Sequence, residues 1–164
     1  MDTLALDLLL THGRELLSSP LLLQEKQFIQ HGSINCYDHS VAVAWVSIQL
    51  ALRTKAKVDF SSLVRGALLH DYFLYDWHEK DASHRWHGLF HPARAVQNAQ
   101  RDFGLNAIEM DIIAKHMFPL TLQPPRCKEA VLVTCADKIC ACAEIFSCCL
   151  YRLPETVLAA PGVL

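Results

Sequence analysis

Five helix-patterned segments of this chain each place an imidazole or a carboxylate where the periodicity asks for an apolar side chain. The residues are His39, the adjacent pair His70-Asp71, His91, His116 and Asp137. His39 heads a stripe continued by Val43, Val46 and Leu50. His70 lines up with Leu63 and Ala67, and Asp71 with Val64 and Leu68. His116 follows Ile112 and Ile113, and Asp137 follows Ala130 and Val133. His91 is placed at the mouth of its helix, just before Pro92.

A buried imidazole or carboxylate is costly unless something compensates it. A lone histidine on an apolar face is more often a satisfied core residue than a ligand. Separate core placements would each require a private partner, whereas one divalent metal centre satisfies them all, because it accepts neutral imidazole nitrogen and attracts carboxylate. Of the other histidines, His12 and His31 read as surface or loop residues, and His78, His84 and His87 fall in an irregular stretch. His87 is the rival of His91, as a ligand, a proton shuttle or a substrate contact.

The periodicity predicts helices over 3–18, 21–30, 38–56 (with Asp38 as N-cap), from Ser61 or Ser62 to about 74, 92–103 with Pro92 in the first turn, 106–117, and 128–151. His31 to Asn35 reads as a turn, and no strand alternation stands out. Residues 75–87 are polar, aromatic and unpatterned, a length of loop that is often functional. The expectation is a single all-α domain over 1–164, a bundle of about seven to eight helices with its metal-binding core at about 37–145.

With 52% apolar and 20% charged residues and a net charge of -2, the chain is globular and gives no support for nucleic acid as main partner. The seven cysteines are odd in number and never spaced C-x-x-C, so they are expected to be reduced thiols in a cytoplasmic protein. The N-terminus has no basic n-region, and no apolar run approaches the roughly 20 residues a membrane helix needs. The apolar tail from Thr156 is expected to pack on the domain or on a second copy, which leaves a homodimer open.

The segments YDHSVAVA around His39, GALLHD ending in His70-Asp71, HPARAV from His91, IIAKH ending in His116 and CADKI around Asp137 resemble, in this order, the HD-domain superfamily of metal-dependent phosphohydrolases. A bare HD dipeptide is weak, but the full series H…HD…H…H…D is specific. Ala95, four residues after His91, fits the family's spacing and favours His91 over His87 as the third histidine. The resemblance, to the dinuclear branch, implies two divalent transition-metal ions (Fe, Mn, Co, Ni or Zn) bridged by Asp71, with water as nucleophile on a small phosphorylated substrate, a nucleotide foremost. Members similar to this set include HD hydrolases of dinucleoside polyphosphates and HD-type cyclic-nucleotide phosphodiesterases.

On this reading His39, His70, Asp71, His91, His116 and Asp137 hold metal, and Asp71, His87 and Lys138 are the catalytic candidates. Lys80, Arg94 and Trp77 are the candidates for substrate, with Arg85, Lys115 and Arg126 as further phosphate contacts and Tyr75 and Trp86 as further stacking surfaces. Leu74 occupies the position where many members carry lysine or glutamate, with Asp76 and Lys80 as nearby substitutes. Two other functions remain open: an HD-type di-iron oxygenase, and a non-catalytic metal- or nucleotide-binding module.

Overall fold

The structure, a computed structural model, describes residues 1–78 and 86–146. Among them are six α-helices, α1 (Asp2–Leu17), α2 (Cys36–Thr54), α3 (Phe60–Leu69), α4 (His87–Phe103), α5 (Ala107–Lys115) and α6 (Lys128–Ile145), with one 3-10 helix, Leu22–Gln27, and a hairpin of β1 (Ile29–His31) and β2 (Ile34–Asn35). The all-α architecture is therefore as expected, apart from the hairpin.

α2 runs through the middle and packs on α1, α3 and α6, burying Val41, Val43, Ala44, Trp45 and Ile48. Its stiff β-branched side chains sit in the core between shorter alanines, so neighbouring helices approach closely. α1 lays Ala5, Leu9, Gly13, Leu16 and Leu17 on one face against α2 and α3, as a helical period requires. α5 packs on α3, α4 and α6. At the crossing of α3 and α5 a Cβ on Gly66 would lie 2.5 Å from Ile112 Cδ1 and 3.1 Å from its Cβ, so any larger residue would force the Ile112 side chain to shift. That contact brings the ends of the two helices together, and His70 and His116 with them.

The helix starts have clear chemical causes. The Asn35 side chain accepts from the Asp38 N–H at 2.8 Å and caps α2, so Asp38 is the third helical residue and not the cap. Asp59 caps α3, two to three residues ahead of the expected serines, accepting from the Ser61 N–H at 3.0 Å and the Ser62 hydroxyl at 2.7 Å. Asn106 and Glu109 form a reciprocal capping box on α5. α3 ends at Leu69, short of residue 74, which places His70 at the helix end.

Two expectations are corrected here. Residues 21–30 are not one helix: the 3-10 turn gives way at Phe28, and 29–31 pair antiparallel with 34–35 across Gly32, whose φ of +59° suits glycine. α4 begins at His87, so Pro92 lies inside it and His91 sits in its second turn, not at its mouth. Pro92 removes the N–H that would reach the Gly88 carbonyl and sets its ring against that carbonyl, a cost met within two turns of the helix start. The expected extension of α6 to Tyr151 lies outside the described residues, as do Lys80, His84, Arg85, Cys148, Cys149 and the apolar tail. No disulfide joins the described cysteines. Among the described residues no helix is long and apolar enough to cross a membrane.

Candidate metal centre

His39 from α2, His70-Asp71 from the end of α3, His91 from α4, His116 from the end of α5 and Asp137 from α6 meet in one buried cluster. Six contacts between the imidazoles and the two aspartates hold it together, one of them between His70 Nε2 and Asp137 Oδ1 at 3.9 Å. Asp71 Oδ1 lies 3.2 Å from His91 Nε2 and 3.4 Å from His116 Nε2. Asp71 Oδ2 lies 3.3 Å from His70 Nε2 and 3.9 Å from His39 Nε2. Asp137 Oδ1 lies 3.3 Å from His39 Nε2. Two lobes result, one of His39, His70 and Asp137, the other of His91 and His116, with one oxygen of Asp71 turned to each.

The tautomers explain why the cluster suits cations. His70 Nδ1 is 2.8 Å from the Ala67 carbonyl, His116 Nδ1 is 2.8 Å from the Ile113 carbonyl, and His91 Nδ1 is 2.9 Å from the His87 carbonyl. His39 Nδ1 is 2.8 Å from Glu144 Oε2. Carbonyl and carboxylate oxygens only accept here, so each Nδ1 carries a hydrogen and each Nε2 faces the cluster, offering a lone pair wherever the ring is neutral. Two such nitrogens, on His91 and His116, stand 2.8 Å apart, a separation that repels unless a proton or a metal lies near. His70 Nε2 and Asp71 Oδ1 are buried without a hydrogen-bond partner. Orphaned lone pairs and inward carboxylates are the donor set that Fe, Mn, Co, Ni or Zn takes, and the residues present fit such ions.

Burial disfavours the charged form of Asp71, but the charge of His70 and the close Nε2 groups of His116, His70 and His91 outweigh it and hold the carboxyl well below the usual carboxylate range. Burial also opposes a charged His39, yet Asp137 and Glu144 push it up to about 10. In His116 burial prevails over Asp71 and the pKa falls. The centre thus holds carboxylate charge that attracts a cation, alongside at least one imidazole that stays neutral at physiological pH.

A cavity of about 340 Å³ opens over the cluster, lined by polar groups on its floor and by Trp77, His87, Met117, Lys138 and Ala141. Lys138 Nζ donates to Asp137 Oδ2 at 2.7 Å and to the His116 carbonyl at 3.0 Å. His87 stacks on His91, with ring centroids 4.5 Å apart, while its Nδ1 is 2.8 Å from the Tyr75 hydroxyl. Trp77 stacks on the other side of His87 at 5.0 Å. Arg94 is exposed on α4 and does not line this cavity. Lys115 is buried in an ion pair with Asp111, and Arg126 is exposed beside the same aspartate, which accepts its backbone N–H at 2.7 Å. Leu74 has a φ of +57°, a left-handed conformation unusual for a branched side chain.

Four residues of the surroundings escaped the sequence reading. Glu144 lies seven residues beyond Asp137, the same face of α6, and that spacing was the available signal. His31 lines the cavity instead of the outer surface. Gln30 donates through Nε2 to Asp71 Oδ2. Glu25 is 1% exposed, and neither of its oxygens has a hydrogen-bond partner; burial, reinforced by Asp71, raises its pKa well above the usual value.

No curated protein and no solved structure matches the chain. The family model of the HD domain matches residues 36–142, which is more than half of the chain and contains all six clustered residues. The chain belongs to the HD-domain family.

Proposed function

We propose that the protein is a metal-dependent phosphohydrolase that cleaves a phosphate ester or anhydride of a small metabolite, a nucleotide foremost. The observation that carries this reading is the set of four histidines whose Nδ1 hydrogens are all engaged, so that their Nε2 atoms converge with Asp71 and Asp137 beneath a cavity. His39, His70 and Asp137 would hold one divalent ion and His91 and His116 a second, with one oxygen of Asp71 turned to each group. Bound there, the ions supply Lewis acidity, which activates water and draws charge from the phosphate oxygens.

The chain's own groups account for the remaining needs. Lys138 faces the cavity with a cation held by Asp137 and the His116 carbonyl, and it contacts a phosphate oxygen. The Tyr75 hydroxyl, 2.8 Å from His87 Nδ1, orients this ring at the cavity wall, and His87 is the group assigned to pass a proton to the leaving oxygen. Trp77 forms an apolar wall for a planar base. The cavity is at the small end of ligand sites, which suits a metabolite better than a polymer.

The test is metal analysis of the purified protein followed by a phosphate-release screen over nucleotides and sugar phosphates with Mn, Fe, Co, Ni and Zn. Metal-dependent release that disappears in His70→Ala supports the assignment. Metal uptake with no release in any combination, or oxygen consumption in its place, overturns it.

A further inference from the structure

The Gln30 side chain joins two groups that the metal reading leaves unconnected. A carboxylate only accepts, so the amide nitrogen must face Asp71 Oδ2. The amide oxygen then faces the Cys36 thiol, whose Sγ is 3.4 Å away. Burial raises the Cys36 pKa, so the thiol keeps its hydrogen and donates. A relay therefore runs from Cys36 through Gln30 to Asp71, and its direction fixes which way the amide is turned.

The hairpin holds this arm in place. Ile29 pairs with Asn35, and the Cys36 N–H donates to the Phe28 carbonyl at 2.9 Å. β1 leaves Ile29 outside and turns Gln30 inward at 7% exposure, and because the pairing register is irregular between Ile29 and His31, His31 lines the cavity beside it instead of alternating away. Each carboxylate oxygen of Asp71 has two lone pairs. Gln30 takes one on Oδ2, while Oδ1 has no hydrogen bond.

We propose that Gln30 is the positioning residue for Asp71, locking the carboxylate plane so that Oδ1 is delivered to the His91–His116 lobe. The inference rests on the two-ion reading above. The lobes are unequal: one has His39, His70 and Asp137 besides Asp71, the other only His91 and His116. A carboxylate free to rotate costs the first lobe one ligand of four and the second its only oxygen. Gln30 thereby sets the affinity for the second ion.

The experiment is a Mn²⁺ titration of the full chain after chelator treatment, with the exchange-coupled Mn pair followed by electron paramagnetic resonance. Wild type is expected to bind two Mn²⁺ per chain. Gln30→Met, similar in length but without a donor, should bind the first as wild type does and the second at least about tenfold more weakly, losing the coupled signal. Cys36→Ser keeps a donor and should retain both ions. If Gln30→Met does not fold, Gln30→Asn, which keeps the amide on a shorter arm, should show the same selective loss. Two ions bound by the glutamine variant with wild-type constants, equal weakening of both, or fewer than two ions in wild type overturns the inference. Two ions in wild type without phosphate release would sink the hydrolase reading and leave this one standing.

Discussion

The two lobes of the centre are built on different foundations. The His39–His70–Asp137 lobe rests on α2, α3 and α6, packed on one another through the middle of the bundle. Glu144 reinforces it by holding His39 Nδ1. The His91–His116 lobe rests on α4 and α5, and His91 comes from the helix turn that contains Pro92. The preceding turn of α4 carries His87, stacked between Trp77 and His91. The difference teaches a division of labour: rigid helix packing supports the richer lobe, while the poorer lobe adjoins the groups proposed to meet substrate.

The largest effect is expected at Asp71, the residue both lobes share. Asp71→Ala should remove the bridge, drop metal content below one ion per chain and lower phosphate release by about 10³-fold or more, while circular dichroism retains the helical signal. Wild-type turnover in this variant would exclude a shared centre. His87→Asn leaves the six clustered residues intact; it should lower kcat by about 10²–10⁴-fold with metal content unchanged. Loss of metal in that variant would move His87 from the cavity wall into the ligand set.

Smaller effects sharpen the distinction. Glu144→Gln should weaken binding at the His39 lobe by about 10–100-fold, since the carboxylate that orients the ring is lost, and leave the other lobe unchanged. Equal weakening of both sites would deny the lobes separate supports. The least effect is expected beneath the centre, at Glu25. Its pKa is raised in the folded protein, so the folded state holds a proton that the unfolded chain releases above its ordinary value of 4.5. The associated stability is full below that value and declines as pH rises towards the folded pKa. Glu25→Gln should therefore flatten the fall in Tm between pH 5 and 8, raising Tm at pH 8 by about 2–4 °C per kcal/mol recovered. Parallel Tm–pH curves for the two proteins would show that Glu25 is not protonated by burial.

Periodicity made the cluster legible because a polar group at an apolar helical position stands out against its neighbours. His39, His116 and Asp137 could be placed on inner faces from spacing alone. Gln30 and His31 could not: a three-residue strand offers too little alternation to read, and the hairpin depends on the pairing of 29–31 with 34–35. The helix bounds erred where a side chain overrode the pattern. Asn35 and Asp59 cap before the expected starts, and α4 forms through Pro92 instead of beginning beside it.

The amino-acid order alone determined the all-helical class, the burial of the six polar residues and their order along the chain, because each follows from the 3.6-residue repeat and from the cost of burying a charge. Tertiary structure alone decided the rest. Convergence into two lobes depends on approaches such as Gly66 against Ile112, and the contact of His91 with Asp71, which the Ala95 spacing had only favoured, is made by the way α4 packs. The inward-facing Nε2 atoms depend on acceptors that include Glu144, 105 residues from His39. No local pattern carries such information, since a hydrogen-bond partner so distant in sequence is selected only when the helices pack.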